Sequence, residues 1–161
     1  MSGSLTLVRG SGDRLAEYVD IFRGSSIWDR YFRTGDRLQR SLDKAAGRGE
    51  LWCAHTPEGT LAGLMRVVPW GFCGLYHYLS LIGTAPSARG AGVGRFLMEA
   101  FERMARADGC RRTSLLVSDF NASALAFYRS LGYWELGAIP DAVRPGIAER
   151  VLLKDLETEE V

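Results

Sequence analysis

The run Pro86-Ser87-Ala88-Arg89-Gly90-Ala91-Gly92-Val93-Gly94-Arg95 constrains this chain more than any other stretch, because it joins a strand-like segment to the clearest helix in the sequence. In that helix Val93, Phe96, Leu97, Ala100, Phe101, Met104 and Ala105 recur at steps of three and four and make one apolar face, and Gly109 supplies a stop. Glycines at such a joint let the backbone turn sharply and let N–H groups approach a ligand with no Cβ in the way. The first turn of a helix adds donors without intrahelical partners and a partial positive charge. Arg89 and Arg95 add fixed charge suited to phosphate, so the joint reads as an anion site. A dinucleotide fingerprint is incomplete, since Arg95 stands where its third glycine belongs, and a triphosphate loop would need a lysine that this region lacks. The pattern R-x-x-G-x-G is met in full by Arg89, Gly92 and Gly94.

The remaining patterns set the order of elements. Strands are expected over residues 5–8, 51–55, 61–68, 75–84, 113–118, 134–138 and 148–153. Helices are expected over residues 13–22 and 34–46, the second closed by Gly47, and from an Asn121 cap to Ser130. Turns fall at Thr56-Pro57-Glu58-Gly59 and at Trp70-Gly71-Phe72-Cys73-Gly74, and the acidic tail 157–161 is expected to fray. The order βααβββαβαββ predicts a mixed α+β fold. Its sheet is mostly antiparallel, with strands 4 and 5 parallel across the long helix and helices on both faces.

Composition narrows the function classes. At 161 residues the chain is expected to be a single domain, residues 1–161. Twenty basic residues against nineteen acidic ones give no basic excess, which argues against a nucleic-acid partner. No apolar run approaches the roughly 20 residues that span a bilayer. The first residues carry no signal-peptide pattern, so no membrane partner and a cytoplasmic location are expected. Cys53, Cys73 and Cys110, odd in number and far apart, suit neither zinc nor a disulfide framework and are expected to be buried reduced thiols. With two distant histidines, no metal is expected.

A second motif follows the first by about thirty residues: Asn121-Ala122-Ser123-Ala124-Leu125-Ala126-Phe127-Tyr128-Arg129-Ser130-Leu131-Gly132-Tyr133. With R-x-x-G-x-G ahead of it and the strand Leu79 to Pro86 before that, the chain resembles the GNAT superfamily of N-acetyltransferases over nearly its whole length. The segments Gly137 to Asp141 and Pro145 to Glu149 resemble a branch whose acceptors are mostly unknown.

The resemblance implies the GNAT fold and acetyl-CoA as co-substrate. Its pantetheine arm would lie in a notch between Leu81, Ile82, Gly83 and Thr84 on one side and Leu115 to Asp119 on the other. Its pyrophosphate would lie on the amides of Arg89, Gly90, Ala91, Gly92, Val93, Gly94 and Arg95, with Asn121, Ala124 and Tyr128 also facing the cofactor. Tyr128 matches the family tyrosine whose O–H stabilises the departing thiolate, and a core-packed ring is its alternative reading. An amine near pKa ~10 must lose a proton before attack, and Glu149, His77 and Asp119 are candidate bases in falling order. Trp28, Asp29 and Tyr31, with Phe32, could line an acceptor pocket or anchor their segment to the core. The implied activity is direct acetyl transfer to a primary amine of a small molecule or peptide, with a homodimer a possible assembly. A non-catalytic coenzyme A-binding module of the same fold and a nucleotide-phosphate binder of another fold are the rival readings.

Overall fold

The computed structural model describes residues 3–33 and 36–157. Its main elements follow the expected order: β1 (Thr6–Arg9), α1 (Leu15–Phe22), α2 (Asp36–Gly47), β2 (Leu51–His55), β3 (Leu61–Phe72), β4 (Tyr76–Thr84), α3 (Val93–Ala107), β5 (Arg112–Ser118), α4 (Ala122–Ser130), β6 (Trp134–Ile139) and β7 (Glu149–Asp155). The seven strands form one mixed sheet, ordered β1-β2-β3-β4-β5-β7-β6 and flanked by helices. The β1/β2, β2/β3, β5/β7 and β6/β7 pairs are antiparallel. The β4/β5 pair is parallel, as the helical crossover between them requires. Its ladder joins His77–Leu79 to Thr113–Leu115, while β4 continues to Thr84 and β5 to Ser118.

Local chemistry moves several boundaries. The first helix opens as a 3-10 turn, Gly12–Arg14, because the Ser11 hydroxyl accepts the Asp13 amide and holds the chain in a tighter winding before α1 begins. The interhelical segment is not a loop: Trp28–Phe32 form a π-helical turn. Ser25 starts it, its hydroxyl accepting the Trp28 amide at 3.1 Å and its carbonyl the Asp29 amide at 3.1 Å. Strand β3 runs on to Phe72, and the turn shifts to Cys73-Gly74-Leu75. Two non-glycine residues, Trp70 and Cys73, take positive φ there, and Phe72 stacks nearly flat on Tyr76 across the hairpin at 6.1 Å. The expected Thr34 start of the second helix and tail residues 158–161 lie outside the described residues. Cys53 and Cys110 are buried and unpaired, and burial pushes both thiols up in pKa, whereas Cys73 is exposed on the shifted turn, contrary to expectation. Among the described residues no helix is long and apolar enough to cross a membrane, and no cluster of metal-ligating side chains occurs.

The chain divides into two compact units. The first holds the chain up to Val67 together with Leu81–Phe101, and the second holds Val68–Ser80 and the chain from Glu102 on. In the first, one face of α1 (Tyr18, Val19, Ile21, Phe22) and of α2 (Leu38, Leu42, Ala45) packs on Leu51, Cys53, Leu61 and Leu64 of the strands. Leu15, Trp28, Phe32 and Leu81 close over that cluster from its margin. In the second, Val117, Leu115 and Thr113 of β5 and Val151 and Leu153 of β7 are buried, and His77 is held from both ring nitrogens. Its Nε2 donates to Asp108 at 2.7 Å, and its Nδ1 accepts the Trp70 amide at 3.1 Å with the Cys110 sulfur 3.2 Å away.

Helix α3 reaches the strands of the first unit through a glycine. A Cβ built on Gly63 would lie 2.8 Å from the Gly83 carbonyl oxygen and 2.8 Å from Val93 Cγ1, so backbone or helix would have to shift. Gly63→Ala is expected to cost about 1–3 kcal/mol by this overpacking. In a chain of this size that lowers the melting temperature by roughly 2–4 °C per kcal/mol. An unchanged melting temperature would contradict the close approach.

Candidate functional site

The anion turn is built in the first unit, where β4 hands over to α3. Pro86–Ala88 form a 3-10 turn that ends the strand, and the chain then crosses Gly90 and Gly92 at φ of 78° and 80° before α3 starts at Val93. Nothing lies within 4 Å of a Cβ built on either glycine, so the left-handed backbone rather than crowding is what calls for glycine. The first bond of α3 runs from the Phe96 amide to the Gly92 carbonyl at 3.0 Å, and the Ala91 amide donates to Ala88 at 3.3 Å. Among the described residues, the amides of Arg89, Gly90, Gly92, Val93, Gly94 and Arg95 find no backbone acceptor. Arg89 and Arg95 are exposed, and neither pairs with an acid among the described residues. A helix start with open donors and two unneutralised guanidinium groups attracts an oxyanion.

Upstream, Leu81, Ile82, Gly83 and Thr84 are half-buried. Leu81 packs its side chain on the core, and a Cβ on Gly83 would meet Phe22 and Ile21 of α1, so that only backbone is available at position 83. Trp28 and Phe32 also pack on the core, which favours the anchoring reading for their segment. Arg23 lies over the Trp28 ring at 5.2 Å and Tyr31 meets Phe32 edge-on, while Asp29 is exposed.

The second unit carries the other predicted residues. Asn121 caps α4, its side chain accepting the Ala124 amide at 3.2 Å. Tyr128 is buried on α4, and no hydrogen bond to its hydroxyl occurs among the described residues. Burial alone pushes its pKa far above the usual tyrosine range, so the phenol keeps its proton at neutral pH. Glu149, at the start of β7, is buried opposite Ser118, whose hydroxyl donates to its Oε1 at 2.8 Å. Asp119 is exposed and accepts the Ala148 amide at 3.1 Å. His77 has both nitrogens engaged as described, and such a residue is a structural brace rather than a free base. Sequence reasoning missed Ser118, whose partnership with Glu149 depends on the β5/β7 register, and a buried group formed by Glu102, Tyr133 and Lys154. Lys154 carried a signal, being one of only two lysines in an arginine-rich chain.

Comparison with known proteins agrees with this arrangement. Residues 16–133 match the model of the acetyltransferase (GNAT) family. Among solved structures, nourseothricin acetyltransferase is similar at 28% identity and a TM-score of 0.61, over 66% of this chain and 65% of that one. The match thus spans just under two thirds of that protein. A GNAT-family acetyltransferase from Bacillus cereus superposes with a TM-score of 0.74 at 17% identity, over 96% of this chain and 100% of that one. The PaiA N-acetyltransferase from Thermoplasma acidophilum, solved in complex with coenzyme A, gives 0.73 at 16% identity over 95% and 99%. Both share the fold. With its family model covering most of the sequence and its seven-stranded fold repeated in these structures, the chain belongs to the acetyltransferase (GNAT) family.

Proposed function

We propose that this protein is an acetyl-CoA-dependent N-acetyltransferase that acetylates a primary amine of a small molecule or peptide by direct transfer, acting as a single catalytic domain in the cytoplasm. The observation that carries the reading is the turn into α3, where, among the described residues, six amides lack backbone acceptors beside two arginines that pair with no acid. Such a cradle fits a diphosphate, and the coenzyme A complex of a protein with this fold supports the same ligand class here. Backbone at Leu81–Thr84 is the seat this reading gives the pantetheine arm. The likeness to nourseothricin acetyltransferase supports an amine-bearing small molecule as acceptor.

In this reading the amine lone pair attacks the thioester carbonyl, and the carbonyl π electrons move to oxygen, where a backbone N–H near Ile82–Thr84 donates a hydrogen bond to the oxyanion. Collapse re-forms the carbonyl and breaks the C–S bond. The sulfur leaves with the bonding pair and takes the proton of the Tyr128 hydroxyl, which burial keeps protonated. The amine's surplus proton passes to a base, for which Glu149 is the first choice: its carboxylate is buried and oriented by Ser118. The products are an acetamide and the free thiol, and Tyr128 regains its proton from solvent. Trp28, Asp29 and Tyr31 remain the proposed acceptor contacts, Asp29 being the exposed carboxylate able to meet an ammonium. No metal enters any step.

Three measurements test this reading. Acetyl-CoA at a hundred times its dissociation constant should add about 2.7 kcal/mol of stability, whereas ATP should add far less. Gly92→Ala shares the left-handed strain of Gly92→Glu but not its charge, so the glutamate variant should bind coenzyme A more than about tenfold more weakly than the alanine variant. Equal affinity of the two would remove the pyrophosphate from this turn. Tyr128→Phe should lower kcat on the order of 10²-fold with acetyl-CoA affinity unchanged, measured by thiol release with an amine panel. Parent-like turnover would take Tyr128 out of the mechanism.

A further inference from the structure

Two tyrosines stand ring to ring in the second unit, and only one has its hydroxyl occupied. Tyr128 and Tyr133 meet edge-on, their ring centroids 5.9 Å apart at 65°. The Tyr133 hydroxyl donates to Glu102 Oε1 at 3.4 Å, and this spends its single proton. Thr113 Oγ1, 2.8 Å away, is therefore the donor in its bond to Tyr133. The Glu102 carboxylate is buried and is neutralised by Lys154 Nζ at 2.9 Å, and that ammonium also lies 5.8 Å from the Tyr133 ring centroid. The Tyr133 amide donates to the Tyr128 carbonyl at 3.1 Å, which ties the residue to the last turn of α4. Tyr133 is thus fixed at its ring, its hydroxyl and its backbone by partners from α3, β5, α4 and β7. The Tyr128 hydroxyl has no such partner among the described residues, and its ring is held by packing against Phe127 and Tyr133.

We propose that Tyr133, held by Glu102, Lys154 and Thr113, is a positioning residue that aims the Tyr128 hydroxyl at the sulfur of coenzyme A. The inference rests on the reading of Tyr128 as the acid. A proton donor with no polar partner of its own keeps its aim only if its ring cannot swing, and displacement of a reacting group by about 1 Å can cost 10²-fold in rate. An anchored aromatic edge supplies that restraint without competing for the hydroxyl. Occupying Tyr133 with a buried carboxylate also keeps the second phenol from taking the place of the first at the ligand.

The test titrates the thiol of bound coenzyme A through its ultraviolet thiolate absorbance, at saturating protein, so no acceptor is needed. Tyr128→Phe removes the hydrogen bond that favours thiolate and should raise the bound thiol pKa by about one unit. Tyr133→Phe and Glu102→Gln, which keep both rings, should raise it in the same direction by a smaller amount. The Tyr128→Phe/Tyr133→Phe pair should show no more than Tyr128→Phe alone. A parent-like thiol pKa in Tyr133→Phe and Glu102→Gln, with only their melting temperatures lowered, would reduce the group to structural support and overturn the inference. Shifts that add in the double variant would do the same, since Tyr133 would then act without Tyr128. No shift in Tyr128→Phe itself, or no coenzyme A binding by the parent, would instead bring down the reading beneath it.

Discussion

A helix cannot satisfy its first amides internally, and among the described residues those of α3 find no backbone acceptor. Everything around the turn keeps them so. Glycines at φ of 78° and 80° let the backbone leave the 3-10 turn and enter the helix with its N–H groups outward. The helix itself is seated by Val93 and Leu97 against a strand whose Gly63 has no room for a side chain. The cost of open donors and uncompensated guanidinium charge is one that a bound diphosphate would repay.

The second unit handles its polar groups in the opposite way. Glu149 with Ser118, His77 with Asp108, and Tyr133 and Glu102 with Lys154 are hydrogen-bonded, and each group has at least one buried member. Isolated buried charges and hydroxyls would be expensive, so each is paired within its own unit. The unpartnered Tyr128 hydroxyl stands out against that background, and it is the group for which the proposed chemistry needs an unoccupied proton donor.

Much of this is legible in the sequence. The three-and-four spacing of Val93 to Ala105 specified α3, and Asn121 was readable as a cap because its side chain can reach the amide three residues on, as it does. Gly109, left-handed at φ 82°, marked the end of α3, and α2 ends at Gly47 as expected. What local chemistry does not encode was missed. The π-helical turn at Trp28–Phe32 depends on Ser25 and on packing of two rings against the core. The longer β3 hairpin needs Trp70 and Cys73 in a conformation that no propensity assigns to them. Glu102 and Lys154 lie 52 residues apart, and Ser118 and Glu149 31 apart, so both pairings follow from strand register and helix packing alone. The glycine-rich turn was legible because its residues are consecutive in the chain.

The amides themselves give the most direct test. In nitrogen-edited spectra of the uniformly labelled protein, saturation with coenzyme A should shift the N–H resonances of Gly90, Gly92 and Gly94 most strongly and slow their exchange with solvent. Pantetheine, which has the same thiol arm but no diphosphate, should leave those three in place. Saturation by coenzyme A with the glycine amides unmoved would mean that the open end of α3 serves some other purpose.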